Sequence, residues 1–564
     1  METVSRNFIE VEIDRDLREG VYDHVQTRFP PEPNGFLHIG HAKSILLNYG
    51  IARQYKGKFC LRFDDTNPSK EKEEFMQAII KDVKWLTGDD DVEIRYASDY
   101  FDAMYAAAVR LIKEGKAYIS TLSAEEIRSY RGTLTEGGKE DPDRNRAPEE
   151  SLRMFEEMKS GSVPDGAMTL RAKIDMQSGN INMRDPVIYR VAHISHPRTG
   201  DKWCIYPMYD FAHPLEDAVE GTTHSLCTME FEDHRPLYDW VIRESMPEGG
   251  TGEGKEWAST PRQIEFAKMY LENIVTGKRY IKKMVEEGIV DGWDDPRLVA
   301  VAALRRRGFT PEAIRQFVAL SGISKAQSVS DYALLEYCLR EDLKCKAPRV
   351  FAILDPVRLI IDNYPEGVTE EIGIENNKEA PELGTRKLPF SRELWIERED
   401  FMEEPVKKYH RLYPGNEVRL MNAYIVTCTS CEKDAEGRVT AVHCTYDKDT
   451  KSGMPGADKK VKGTIHWVEA SSAYTATVRL YENIIDEEKG VYNEEDGSLN
   501  LNPDSVRVCE GAKCEPSLKD AQAFDRFQFV RAGYFCVDEK DHTPGAPVFH
   551  RIVSLKSSFK LPAT

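Results

Sequence analysis

Two imidazoles spaced by Ile and Gly, in His38-Ile39-Gly40-His41, are the side chains whose type and spacing most directly imply chemistry. Imidazole N–H groups can donate to phosphoryl oxygens as charge builds there in a transition state. Gly40 allows backbone to approach a ligand closely. The preceding run, Pro30-Pro31-Glu32-Pro33-Asn34-Gly35, cannot continue a strand or a helix. The histidines therefore open the next helix, and a helix N-terminus attracts phosphate.

The elements that must carry this loop are legible around it. Val21 to Phe29 reads as a strand, and Ala42 to Tyr55 as a helix with Ile45, Leu46, Tyr49 and Ile51-Ala52 at helical spacing. Gly57 reads as its stop. Phe59 to Phe63 is a second strand, ending at Asp64-Asp65-Thr66-Asn67-Pro68. This is a βαβ unit. Ligands in such sheets sit outside the C-terminal strand ends, where loops 30–41 and 64–68 both fall. Residues 97–200 read as an insertion, with a helix from Asp102 to Glu114, a polar loop from Arg131 to Arg146 and strands between Leu170 and Arg190. A strand pattern returns at Trp203 to Pro207. The Gly/Glu-rich stretch 246–259 reads as an exposed, mobile loop. Helical patterns dominate 294–342, as in Pro311 to Ala319. After about 345 the pattern is all-β, with strands at Leu359 to Ile361, Glu417 to Cys428, Val439 to Tyr446, Gly463 to Glu469 and Thr475 to Tyr481. That density implies barrels or sandwiches.

The chain has 564 residues, 40% hydrophobic and 31% charged, which implies several globular domains. No apolar run is long enough to span a membrane, and Met1 to Gly20 lacks a secretory h-region. Eleven cysteines without framework spacing fit a reducing cytoplasm. A net charge of -19 argues against a bulk polyanion binder. Local basic clusters remain: Lys278-Arg279 with Lys282-Lys283, Arg305 to Arg307, Lys344 with Lys346 and Arg349, and Lys407-Lys408 with His410-Arg411. No Gly-x-Gly-x-x-Gly follows the first strand, which disfavours a dinucleotide oxidoreductase. Cys428-x-x-Cys431 with His443 and Cys444 has zinc-like spacing. Strand alternation would put Cys428 and Cys431 on opposite faces, and likewise His443 and Cys444, so no metal site is expected.

His-Ile-Gly-His after a first strand resembles the signature of class I aminoacyl-tRNA synthetases. The longer strings Arg28 to His41, Leu61 to Pro68, Lys202 to Phe211 and Gly292 to Arg297 resemble the glutaminyl-tRNA synthetases. The likeness runs from about residue 22 to 555. It implies an α/β Rossmann-like catalytic domain (1–96 and 201–270), an acceptor-stem-binding insertion (97–200) and a helical connecting domain (271–345). It further implies two all-β anticodon-binding barrels, one from 346–362 and 463–564, the other from 363–462. The implied reaction is ATP-dependent adenylation of L-glutamine and transfer to tRNA-Gln, with Mg2+ accompanying ATP, by a monomer that does not touch membrane.

The resemblance also distributes roles. His38, His41 and Lys278 would be catalytic. ATP would be held by Glu32, Pro33, Asn34, Gly35, His38, Gly40, His41, Ala42 and Lys43, and by Thr276, Gly277 and Lys278. That last loop departs from the family's Met-Ser-Lys, since Thr276 and Gly277 replace Met and Ser. Glutamine would meet Arg28, Asp64, Tyr209, Cys227, Phe231 and Gln263. Glutamyl enzymes carry arginine where Cys227 stands, and a neutral group there suits an amide better than a carboxylate. For tRNA, Leu134 would be an apolar wedge at the first acceptor pair and Asp233 a minor-groove reader. Arg349, Lys408, Arg411 and Gln528 match anticodon-contact positions, although Lys408 and His410 differ from the family's residues. The alternatives are a glutamyl enzyme, possibly non-discriminating, and a catalytically weak tRNA-binding paralogue.

Overall fold

The computed structural model describes residues 6–69, 72–451 and 453–556. They form two compact units: one runs to Tyr270 and includes Val318–Ser330, the other comprises Leu271–Phe317 and Asp331 onward.

In the first unit, α1 (Phe8–Arg18) precedes β1 (Gln26–Phe29), α2 (Ile39–Gln54), β2 (Lys58–Phe63), α3 (Glu73–Thr87) and β3 (Glu93–Tyr96). The first strand is shorter than Val21 to Phe29. Tyr22 leaves it to donate its hydroxyl to Thr260 O at 2.7 Å. β1 pairs with β2, and β2 with β3, all parallel. The stop after α2 works differently from the expected glycine cap. Lys56 takes the left-handed turn at φ 53°, while a Cβ on Gly57 would lie 1.9 Å from Val25 O. Gly57 is required by close backbone approach rather than by its own torsion.

The insertion contains α4 (Phe101–Lys113), β4 (Ala117–Ser120), α5 (Ala124–Arg131), α6 (Pro148–Ser160), β5 (Thr169–Ala172) and β6 (Val187–Val191). Its antiparallel sheet runs β4-β5-β6-β7, where β7 is Ile205–Pro207. The strand pattern at Trp203 to Pro207 therefore belongs to the insertion's sheet, past residue 200. Next come α7 (Tyr209–Glu220), β8 (His224–Thr228), α8 (Arg235–Glu244) and β9 (Arg262–Phe266), with β8 parallel to β9. β8 lies beside β1: Thr223 N–H donates to Gln26 O at 3.0 Å, and Arg28 Nη1 to Leu226 O at 2.9 Å. β1-β2-β3 and β8-β9 form separate ladders, the second lying against β1, so the chain builds outward from β1 on both sides and the β1 end is a topological switch point. The 246–259 stretch is largely exposed, as expected, but it is anchored at its end. Trp257 is fully buried, and Ala258 and Ser259 N–H groups both donate to Ala218 O.

In the second unit, α9 (Lys278–Glu286) and the helices Val301–Arg307 and Tyr332–Lys344 precede two seven-stranded sheets. One sheet begins with Arg349–Val350 and ends with Ala352–Ile353, with strands from 474–553 between them. Both edges belong to one continuous segment, so the sheet closes on itself. The other is closed in the same way by Gly463–Ile465 and Val468–Glu469. Pro356–Ile361 and the strands of 463–469 were expected in the first cylinder but hydrogen-bond into the second. Glu417 to Cys428 is broken into Glu417–Leu420 and Ile425–Lys433 by a turn with Asn422 at φ 60°. A bulge between Cys428 and Ser430 returns Cys428 and Cys431 to the same face, so the alternation argument does not hold there. His443 instead meets Asp362 and Glu432, and no metal-holding cluster occurs among the described residues. No described helix is long and apolar enough to cross a membrane.

Burial keeps several imidazoles neutral. His213 is held down to about 3, and His224 and His466 to about 4, against 6.5 in the unfolded chain. As pH falls from 6.5 toward 4, the unfolded chain takes up protons that the folded chain refuses, so stability falls. Unfolding midpoints measured between pH 7 and 4.5 should drop, and His466→Asn should flatten the drop. Equal slopes for the two proteins would contradict this assignment.

Candidate active site

The His38-to-His41 turn is built by reciprocal capping. His38 is the N-cap of α2, and its Nδ1 accepts the Gly40 N–H at 3.1 Å. His41 Nδ1 accepts the His38 N–H at 3.1 Å. The ring centroids lie 3.9 Å apart. Because each Nδ1 accepts a backbone proton, each neutral ring carries its proton on Nε2 and is a donor there. Gly40 has a reason that the sequence did not disclose. A Cβ there would lie 2.9 Å from His38 Cε1, so a side chain would displace the capping ring.

The loop before this turn is tied to the loop after β2. Asp64 N–H donates to Pro31 O at 3.0 Å, and Lys72 N–H to Pro33 O at 3.3 Å. Asn34 bonds Glu32 through both backbone and side chain. Gly35, Ala42 and Lys43 are buried, and burial holds the Lys43 ammonium below its usual range. Asp64 is 6% exposed, and one of its carboxylate oxygens accepts from Thr66 Oγ1 at 2.7 Å. Burial raises its carboxyl, so an incoming cation would be welcome there.

Tyr209 opens α7 and stacks on His213 at 5.1 Å, with Phe231 at 5.6 Å. Burial drives its phenol well up, reinforced by Cys227 and Asp64. Burial also pushes the Cys227 thiol well up and keeps it neutral. Gln263 has both amide hydrogens committed: Nε2 donates to Phe231 O at 3.1 Å and to Glu265 Oε1 at 3.0 Å. Both partners are acceptors, so the orientation of the amide is fixed and its oxygen is the remaining acceptor.

Arg28 was expected in the pocket and lies beneath it. It is fully buried, bonding Asp217 at 2.8 Å, Ser225 Oγ at 2.7 Å and His213 Nε2 at 2.8 Å. Arg62, equally buried, holds Asp217 at 2.7 Å and Glu220 at 2.9 Å, and its Nε lies 2.8 Å from Glu216. Sequence reading missed this layer. Its signal was the polar spacing Tyr209, His213, Glu216-Asp217, Glu220, one face of α7 turned inward.

The second unit carries Thr276, Gly277 and Lys278. Gly277 caps α9 and Lys278 is its first residue, followed by Arg279. Two cations at a helix N-terminus oppose the macrodipole and favour a bound anion. Arg349 and Gln528 are register partners on neighbouring strands, with Arg349 Nε donating to Gln528 Oε1 at 3.1 Å. Lys408 (φ 70°) and Arg411 lie in an exposed stretch of the other cylinder, where Arg411 pairs with Glu399 and buried Asp400, both at 2.9 Å. Leu134 is 80% exposed, and Asp233 is exposed in the turn before α8.

Gly40→Ala should dislodge the His38 ring and cost about 0.5–2 kcal/mol, as cap losses do. Nitrogen NMR of His38 should show Nε2-H tautomer loss; an unchanged tautomer would contradict the capping geometry.

Comparisons with known proteins agree with this architecture. Residues 24–345 match the family described as tRNA synthetases class I (E and Q), catalytic domain. Residues 347–447 and 464–538 match the anti-codon binding domains of the same family. A glutamine–tRNA ligase of Clostridium kluyveri is 56% identical over 559 residues, 99% of this chain and 98% of that protein. One of Clostridium perfringens is 55% identical over 561 residues, 99% of each. One of Nitrosomonas europaea is 52% identical over 98% of each. With the βαβ site, the paired histidines and the closed β cylinders in place, the chain belongs to the class I tRNA synthetases of the E and Q group.

Proposed function

We propose that this chain is a glutamine–tRNA ligase. The observation that carries the choice of amino acid is a pair of neutral groups: a thiol at Cys227 and a Gln263 amide locked with its oxygen as acceptor. A glutamine amide can donate to that oxygen. A glutamate carboxylate would find no cation from Cys227 and an acceptor at Gln263.

In the reaction, the glutamine carboxylate attacks the α-phosphorus of ATP. The bond to the bridging oxygen breaks and pyrophosphate leaves. The 2′-hydroxyl of the tRNA 3′-terminal adenosine then attacks the adenylate carbonyl, and AMP leaves. His38 and His41 serve as Nε2-H donors to phosphate oxygens, and Glu32, Pro33, Asn34, Gly35, Gly40, Ala42 and Lys43 shape the nucleotide site. Lys278, on the Thr276-Gly277 loop, supplies charge to pyrophosphate. Asp64 takes the α-ammonium group. Tyr209, Phe231, Gln263 and Cys227 form the side-chain pocket, and Arg28 holds it from below. Leu134 opens the first acceptor pair and Asp233 reads the minor groove. Arg349, Gln528, Lys408 and Arg411 meet the anticodon. Mg2+ would accompany ATP, held mainly by its phosphates and water, and would offset their charge. The enzyme works as a cytoplasmic monomer.

Charging assays with glutamine and glutamate test the reading; preference for glutamate would overturn it. Cys227→Arg should lower kcat/KM for glutamine at least about tenfold, because it buries a cation facing an amide. Unchanged glutamine kinetics would remove Cys227 from the pocket. Lys278→Ala should lower the adenylation rate by about 10²–10³ with little change in the unfolding midpoint. A rate within twofold of wild type would rule out its role with pyrophosphate.

A further inference from the structure

The insertion contains an arginine that spends three of its hydrogen bonds on a loop tip. Arg184 is 2% exposed. Its Nη1 donates to Arg131 O at 2.8 Å, Thr133 O at 2.7 Å and Glu136 O at 2.8 Å, and its Nε to Ser178 O at 2.7 Å. Three carbonyls share two protons, so at least one bond is three-centred. These carbonyls bracket Leu134. The tip is further set by Gly132 at φ 70°, by Thr133 N–H donating to Glu136 O at 3.1 Å and by Thr133 Oγ1 accepting the Glu136 N–H at 3.1 Å. A lone exposed leucine needs no explanation. A buried guanidinium holding the backbone on both sides of it does.

The same short segment grips a second place. Asn180 Nδ2 donates to Asp233 O at 2.7 Å, and Asn182 Nδ2 to the same oxygen at 3.3 Å. Asn180 Oδ1 in turn accepts the Asn182 N–H at 2.9 Å. Asp185, which follows the segment, is fully buried with φ 41°, a strained left-handed torsion. Its carboxylate is fixed by the Ile174 N–H at 2.7 Å and Arg144 Nε at 2.7 Å. Residues 178–184 are thus anchored to the insertion's core and hold both the Leu134 tip and the Asp233 backbone.

We propose that Ser178–Arg184 is a brace that sets the Leu134 tip relative to Asp233, with Arg184 and Asn180 as positioning residues for opening the first acceptor base pair. This rests on the reading above of Leu134 as wedge and Asp233 as groove reader. Unstacking a base pair costs a few kcal/mol. An apolar wedge on a yielding loop would be pushed aside, so the wedge is only as effective as its support.

The test is aminoacylation by the full chain of two tRNA-Gln transcripts, one with its first acceptor pair intact and one with that pair mismatched. Arg184→Lys keeps the charge but loses the planar fork. It should lower kcat/KM on the paired tRNA about tenfold or more, in line with lost charge-assisted bonds, and on the mismatched tRNA less than about threefold. Asn180→Ala, at a half-buried site, should shift the same ratio in the same direction and keeps the test valid if Arg184→Lys folds poorly. Equal losses on both tRNAs for both variants would overturn the brace. Leu134→Ala separates the two levels. If it also fails to distinguish the tRNAs, the wedge reading falls; if it distinguishes them while the brace variants do not, only the brace falls.

Discussion

The catalytic unit depends on a layer of charge sealed between α7 and the parallel sheet. Arg28 from β1 and Arg62 from β2 meet Glu216, Asp217 and Glu220 from one helix face, with no exposed atoms among the ion pairs. Asp217 is held far below the usual carboxylate range by both guanidiniums, despite burial that opposes it, while Glu216 is pushed well up by burial and by its acidic neighbours. The same surroundings thus push Asp217 toward its charged form and Glu216 toward its neutral one. Removing one partner from such a group strands the others and costs about 3–5 kcal/mol. Its value is positional. The layer fixes His213, on which Tyr209 stacks, and Ser225, two residues before Cys227. The pocket floor is therefore rigid because the charges beneath it cannot rearrange without exposing one another.

The capping histidines stand on this frame. β1 and β2 end side by side, and the Asp64-to-Pro31 bond ties the two loops that leave them. The proposed phosphate and amino-acid sites thus lie at adjacent strand ends, one supported by a helix start and the other by an ionic floor.

Much of this was legible in the sequence. The proline-rich breaker followed by His-Ile-Gly-His marked a strand, a loop and a helix start, because each residue type there has few conformations. The β-rich second half was readable from alternation. What escaped were features with a local signal opposite to their meaning. Arg28 looked like a ligand-facing cation and is structural. The polar stripe of α7 went unread, since hydropathy cannot show that charges will meet one another across a sheet. A one-residue bulge after Cys428 reversed the parity on which the zinc argument turned. The role of Gly40 depended on the rotamer of the histidine two residues earlier, which no spacing encodes.

The closure of the two cylinders has a consequence for how the second unit can be divided. The cylinder made mainly of 474–553 is closed by 349–353, which lies in the first anti-codon binding segment, 347–447. The cylinder made mainly of 356–447 is closed by 463–469, almost all of which lies in the second, 464–538. Each segment lends the other its last staves. Expressed apart, either would present two raw sheet edges to water. A cut between the two segments would therefore open both cylinders at once, whereas a cut at a hairpin tip would leave every ladder paired.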